Sequence, residues 1–365
     1  MFWYIIRRLL FIIPTLFGIM VVNFAFIQFL PGGPVEQIIN QMEEQNLTLQ
    51  LLGGDGGDAG QTTDITFGGE KVAYQGSRGL PKEFLEDIEA QFGFDKPPTE
   101  RFFLMMSSYA TFDFGESYFR SIKVYDLVLE KLPVSITLGL WSTILAYLIS
   151  IPLGIKKATN EGSRLDTYSS AVIVIAYSIP GFLFAIVLLI VFAGGSYWQV
   201  FPMRGLTSDN WATLSVVGKC LDYLWHIILP VIASTIGSFA TLTLLTKNSF
   251  VDEIKKQYVM TARAKGLSNN RVLYKHVFRN AMLIIIAGFP GLFISVFFGG
   301  SLIIETVFSL DGLGRLGFEA ALTRDYPVMF ATLYFFALLG LIISLLSDLT
   351  YMWIDPRIDF GSRTT

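Results

Sequence analysis

Apolar positions in this chain gather into six long stretches, at 9–30, 133–155, 168–193, 223–246, 281–304 and 328–346, separated by polar segments of very unequal length. Each stretch is long enough to cross the roughly 30 Å hydrocarbon core of a bilayer as a helix, which takes about 20 residues. The pattern therefore predicts an all-α polytopic membrane protein with six transmembrane helices. Pro14, Pro152, Pro180, Pro230 and the pair Pro290-Gly291 fall inside these stretches and are expected to interrupt the helices. A bundle tolerates such breaks where neighbouring groups satisfy the freed backbone.

Composition agrees with the pattern: 52% of the 365 residues are hydrophobic and 15% aromatic, against 16% charged. A soluble domain carries more charge. Arg7 and Arg8 precede the first stretch as they would a secretory signal. The stretch is too long for a signal peptide and no small-x-small site follows it, so a retained first helix is expected. Six spans return both termini to one side, and charge indicates which. Of the 27 Lys and Arg, 15 fall in the short segments before 9, at 156–166, at 247–280 and after 346, and 12 in the much longer remainder. The positive-inside rule then places both termini in the cytoplasm. Acidic residues lean the other way, with 17 of 30 between positions 31 and 132. The net charge of −3 thus hides a basic inner and an acidic outer face, and points to no nucleic-acid partner. Cys220 is the single cysteine, so no intrachain disulfide is available, and it reads as an inert residue near a span boundary. No organelle signal is evident. The expected location is a bacterial inner membrane, crossed several times.

Four regions follow. Residues 1–30 hold the N-terminal segment and first helix, 31–132 a large periplasmic loop, 133–350 a five-helix transmembrane core, and 351–365 a cytoplasmic tail. The first loop far exceeds what a connection needs. Its insertion at 51–80 contains nine glycines and cannot build a core; a helical patch is expected at 81–89. The insertion reads either as a spacer or as a flexible element contacting a soluble partner outside.

The most informative polar segment lies between the fourth and fifth stretches, within the loop 247–280. Asp252 or Glu253 favours a helix start, no Pro or Gly follows until Gly266, and Gly266 suits the stop. The expected helix has three to four turns, about 20 Å long. Ile254, Tyr258, Ala262 and Lys265 follow helical steps beside a basic stripe. Ala262, Ala264 and Gly266 let another surface approach the backbone closely. The segment reads as a docking surface for a separate protein, or as an ordinary basic amphipathic loop.

Several chemistries have no equipment here. No Asp, Glu, Lys or Arg lies inside any of the six stretches, whereas ion-coupled carriers generally hold ionisable groups at membrane depth. An ion-coupled transporter or channel is thus the competing reading. There is no G-x-x-x-x-G-K-[ST] phosphate cradle, and His226 and His276 match no zinc spacing. Gly312-Leu313-Gly314-Arg315-Leu316-Gly317 spells G-x-G-x-x-G without a βαβ unit, so a turn at the membrane surface is expected instead of a dinucleotide site. No nucleophile and base set stands out, and an enzyme is not expected.

Tyr258-Val259-Met260-Thr261-Ala262-Arg263-Ala264-Lys265-Gly266-Leu267-Ser268, followed by Arg271-Val272-Leu273, His276 and Arg279-Asn280-Ala281, resembles the EAA loop of binding-protein-dependent ABC importer permeases, in the dipeptide and oligopeptide branch. Further matches run through nearly the whole chain: Leu30-Pro31-Gly32-Gly33-Pro34, Asp113-Phe114-Gly115-Glu116-Ser117, Ser178-Ile179-Pro180-Gly181-Phe182, Glu305-Thr306-Val307-Phe308, Arg324-Asp325-Tyr326-Pro327 and Asp355-Pro356-Arg357-Ile358. The long Gly-rich insertion resembles the Yej-type permeases of peptide and microcin C importers. Gln257, Lys247 and Ile284 depart from the pattern, which often has an acid, an Arg and a Pro there. The resemblance implies an importer permease fold whose EAA helix sits in a groove of an ATP-binding subunit. ATP and Mg would be held by that subunit, leaving this chain without a cofactor. Gln257, Tyr258, Val259, Thr261, Ala262, Arg263, Ala264, Lys265 and Gly266 would carry the coupling, and the loop 156–166 a secondary contact. A homologous second permease, a periplasmic peptide-binding protein and a peptide substrate are the other implied partners, beside the lipid bilayer.

Overall fold

A computed structural model describes residues 2–29, 95–195, 197–294 and 301–354. Among these residues the regular structure is helical, apart from an isolated antiparallel bridge between Glu116 and Lys123. The helices are α1 (Phe2–Phe29), α2 (Pro98–Ala110), α3 (Val124–Thr159), α4 (Arg164–Ser178), α5 (Gly181–Phe192), α6 (Val216–Ile254), α7 (Gln257–Ala264), α8 (Asn269–Ile294), α9 (Ser301–Val307), α10 (Leu313–Thr323) and α11 (Tyr326–Ile354). The Gly-rich insertion 51–80, the expected patch 81–89 and the tail from 355 lie outside the described residues.

Among the described residues, five helices are long and apolar enough to cross a membrane, namely α1, α3, α6, α8 and α11, and the bent pair α4 and α5 makes a sixth if it counts as one crossing. The interruption expected at Pro180 is present within 168–193, where the chain bends by 94°. Pro180 explains the bend. It donates no N–H and forces the preceding residue out of the helical region, and Ile179 accordingly sits at φ −85°, ψ 119°. The Pro180 carbonyl then accepts from Phe184 N at 3.1 Å, starting α5. The other prolines behave differently. Pro14, Pro152 and Pro230 remain within continuous helices, and the break near Pro290 falls at Gly288, one residue before the Phe289–Ile294 turn.

Helices α3 and α6 hold 36 and 39 residues, well beyond their apolar stretches. At 1.5 Å per residue each exceeds 50 Å, more than a bilayer needs, so their polar ends project into water. Those ends build the site described below.

Contacts divide the chain into two compact units. The first comprises Met1–Leu16, Val128–Phe318 and Tyr334–Thr365. Within it α3 and α6 pack so closely that a methyl group on Gly154 would lie 2.5 Å from Thr246 Cβ. Below that contact a core of Ile155, Ala158, Phe250, Val251, Val272, Val277 and Ala281 receives Val259 and Ala262 from α7. At the other end of the chain, Asp348 accepts from the Tyr4 hydroxyl at 3.1 Å and pairs with Arg8 at 2.6 Å.

The second unit comprises Phe17–Leu127 and Glu319–Leu333. Phe102 meets Phe17 and Phe24 edge-on, and Tyr109 meets Phe114 in the same way. Burial pushes the Tyr109 and Tyr118 hydroxyls above the ordinary tyrosine range. Asp325, buried, accepts from the Ser117 hydroxyl and from Tyr118 N, and Arg120 pairs with Glu319 at 2.8 Å. The same unit holds a cavity of about 320 Å³ lined by Phe24, Arg101, Tyr109, Tyr118, Tyr326 and Phe330 among others.

Candidate functional site

The sequence predicted one helix from Asp252 or Glu253 to Lys265, and the structure corrects its start. Asp252, Glu253 and Ile254 are the last residues of α6. The chain then breaks at Lys255 and Lys256, with Lys256 extended at ψ 151°, and α7 begins afresh at Gln257. Eight residues make a helix of about 12 Å in place of the expected 20. Neither Gly nor Pro stands at the break; the cause is tertiary. Only a new helix direction lets Val259 and Ala262 enter the core between α6 and α8, where Val259 is fully buried.

The far end of α7 follows expectation. Gly266 takes φ +80°, a left-handed conformation that glycine adopts without a Cβ penalty. Gly266 N donates to Arg263 O at 2.9 Å and Leu267 N to Ala262 O at 3.3 Å. This double closure is the Schellman pattern, and it satisfies the last carbonyls of the helix. Leu267 packs on the core that holds Ala262, supplying the usual apolar contact across such a cap.

The predicted contact residues therefore divide into two faces. Gln257, Thr261, Arg263, Ala264, Lys265 and Gly266 are exposed, together with Met260 at 65%. Val259 and Ala262 point inward and Tyr258 is half-buried. Of the expected stripe, Ile254 belongs to α6 and Lys265 is exposed, so the buried face is Tyr258, Val259 and Ala262. The open face is short, cationic and low in profile, and nothing lies within 4 Å of a Cβ placed on Gly266.

Polar residues brace this element. Glu253 is buried; its Oε1 accepts from the Tyr258 hydroxyl at 2.7 Å and from Asn280 Nδ2 at 3.1 Å, while Oε2 meets Lys256 Nζ at 2.5 Å. Burial, and then the bond to Glu253, push the Tyr258 pKa up to about 12, so its hydroxyl stays a donor at neutral pH. Ser249 Oγ donates to Ala281 O at 2.7 Å, tying α6 to α8 one turn deeper. From the sequence, Glu253 reads as a helix start and Asn280 only as part of the Arg279-Asn280-Ala281 match, neither as a brace. An acid in a basic segment five residues before a tyrosine was the available signal.

The loop 156–166 reaches the break between α6 and α7 through an exposed 3.3 Å pair between Lys255 and Glu161. Behind it Asp166 gathers two lysines. Lys247 Nζ donates to both its carboxylate oxygens at 2.9 and 2.8 Å, and fully buried Lys157 lies 3.1 Å from Oδ1 while also reaching Ser169 and Ser170 hydroxyls at 2.7 Å. A buried ammonium persists only with such a full set of partners. Lys247 thus holds a working position despite departing from the expected Arg.

The G-x-G-x-x-G spelling opens α10. Its N-terminal donors are taken by the chain itself: buried Glu305 accepts from Arg315 N at 2.8 Å and from the Ser135 hydroxyl at 2.7 Å, and Ser135 Oγ accepts from Leu313 N at 2.8 Å. A Cβ on Gly312 would fall 2.2 Å from Glu305 Oε1. Burial pushes the Glu305 pKa up, against the pull of these donors. The place a phosphate would take at a helix N-terminus is already filled.

Comparison with known proteins bears on what this surface serves. Residues 150–360 match the family model described as binding-protein-dependent transport system inner membrane component. Among curated relatives, the peptidoglycan transport system permease protein YejB of Agrobacterium fabrum (strain C58 / ATCC 33970) is 57% identical, covering 99% of both chains. The inner membrane ABC transporter permease protein YejB of Escherichia coli O157:H7 is 56% identical over 99% of both chains. The oligopeptide transport system permease protein AppB of Bacillus subtilis (strain 168) is 33% identical over 98% of this chain and 99% of its own.

Proposed function

Since the chain belongs to the family of binding-protein-dependent transport system inner membrane components, we propose that it forms one half of the pore of an ATP-driven importer for peptides, including peptide-bearing cell-wall fragments. A homologous second permease supplies the other half, a periplasmic binding protein delivers the solute to the acidic outer face, and a separate subunit hydrolyses ATP. The observation that carries this reading is α7, an eight-residue helix with an inward face locked into the core and an outward face left cationic and low. A partner seated on that face pushes directly on α6 and α8. The termini lie in the cytoplasm, on the same side as α7. The substrate class follows the names of the relatives, which speak of peptidoglycan and oligopeptides.

The Gly-rich insertion 51–80 serves the binding protein in this scheme. Deleting 50–75 is expected to weaken binding-protein docking while leaving membrane insertion intact, measured by co-purification; unchanged docking would make the segment a spacer.

The test of the whole reading is uptake of a labelled peptide by proteoliposomes holding the complete complex. Uptake is expected to require ATP and to survive collapse of the proton gradient. Uptake that stops with the gradient while ATP is maintained would instead support an ion-coupled carrier.

A further inference from the structure

Glu253 joins three elements through one carboxylate. It lies in the last turn of α6; Tyr258, on α7, donates to its Oε1 at 2.7 Å; Asn280, on α8, donates to the same oxygen at 3.1 Å and lies 3.3 Å from the Tyr258 hydroxyl. Lys256, the extended residue at the break, holds the second oxygen. The apolar anchor of α7, Val259 and Ala262, resists withdrawal from the core but has little directional preference. Hydrogen bonds do have direction. A carboxylate with both oxygens engaged can hold the angle at which α7 leaves α6.

We propose that Glu253 is a positioning residue that locks α7 to α6 and α8, so that a push on the docking helix moves the ends of both long helices as one body. This rests on α7 being the ATPase docking element. The backbone between α6 and α7 is a two-residue break, which by itself absorbs rotation about φ and ψ without transmitting it. The carboxylate spans that break through side chains. Because Asn280 touches both Glu253 and Tyr258, loss of any one of the three disturbs the same small network, and their effects should not add.

The experiment uses the complete complex in proteoliposomes with Glu253→Gln, Tyr258→Phe, Asn280→Ala and the Glu253→Gln/Asn280→Ala pair. Assembled complex, ATP hydrolysis and peptide uptake are measured together, and the quantity read is peptide imported per ATP hydrolysed. Each single variant should lower that ratio about 10-fold at unchanged ATPase content, and the pair should lower it no further. Glutamine keeps the size and one acceptor of Glu253 but loses the charge facing Lys256. If uptake and hydrolysis fall in proportion to the amount of complex, the network only supports the fold and the proposal fails. Should Glu253→Gln not assemble, Tyr258→Phe decides by the same two outcomes. Gly266→Trp separates this idea from the reading beneath it. A fall in the ratio for Gly266→Trp with none for the network variants overturns the positioning role alone, and no fall in either overturns the docking role of α7 itself.

Discussion

Gly312 stands where no side chain fits. Its Cα faces the Glu305 carboxylate, which bridges Ser135 and the first turn of α10, and a methyl group would lie 2.2 Å from Oε1. Gly312→Ala must therefore displace a buried carboxylate from its donors. Overpacking of this kind costs about 1–3 kcal/mol, and we expect a fall in thermal stability of the purified protein, with Ser135→Ala lowering it in the same direction. Gly154 makes the corresponding case between helices, since a methyl group there meets Thr246 Cβ at 2.5 Å. Gly154→Leu should separate α3 from α6 and reduce the yield of folded protein, while Gly18→Leu, at a glycine with open space around it, should not. Such positions were not legible as residues. A glycine in an apolar stretch looks the same whether it faces lipid or a neighbouring backbone, and only the packing tells them apart.

At the scale of one element, α7 divides what local chemistry controls from what it does not. The cap at Gly266 was readable because a left-handed C-terminal position excludes most other residues. The start was not readable, because Lys255 and Lys256 have ordinary helix propensity and a continuous helix from Asp252 costs nothing locally. Core burial of Val259 and Ala262 outweighed it. The cap also supplies a test with an internal control. Gly266→Ala and Gly266→Trp share the same left-handed strain, about 1–2 kcal/mol, and a Cβ at that site meets nothing in the chain. Both variants should insert in the membrane; only tryptophan should hold a partner's surface away, so peptide uptake should fall sharply for Gly266→Trp and modestly for Gly266→Ala. Equal uptake by the two would argue against a partner seated on this face. The bend between α4 and α5 was half legible: Pro180 signalled an interruption, but Pro14, Pro152 and Pro230 signalled it equally and left their helices continuous. A proline removes one hydrogen bond, and whether the helix then bends depends on what surrounds it.

At the scale of the whole molecule, charged hubs among the described residues lie just past the ends of the apolar stretches, among them Asp166 with Lys157 and Lys247, and Glu253 with Lys256. The stretches themselves carry no charge, yet Asp166, Lys157 and Glu253 at their borders are buried where the long helix ends meet. Lys247→Met should leave Asp166 with Lys157 as its remaining cation. Removing one partner from a buried network of this kind costs about 3–5 kcal/mol; the expected outcome is a lower melting temperature in detergent, with Lys247→Arg retaining most of the stability. Sequence alone determined that this is a helical membrane protein, where the basic loop lies, and where α7 stops, because bilayer thickness, charge and glycine geometry act on residues locally. Only the tertiary structure decided where α7 starts, which of its residues face outward, and that Glu253 and Asn280 brace it. Those outcomes depend on which distant helix ends meet, and the energy of burying Val259 beside α8 is not written in the residues on either side of the break.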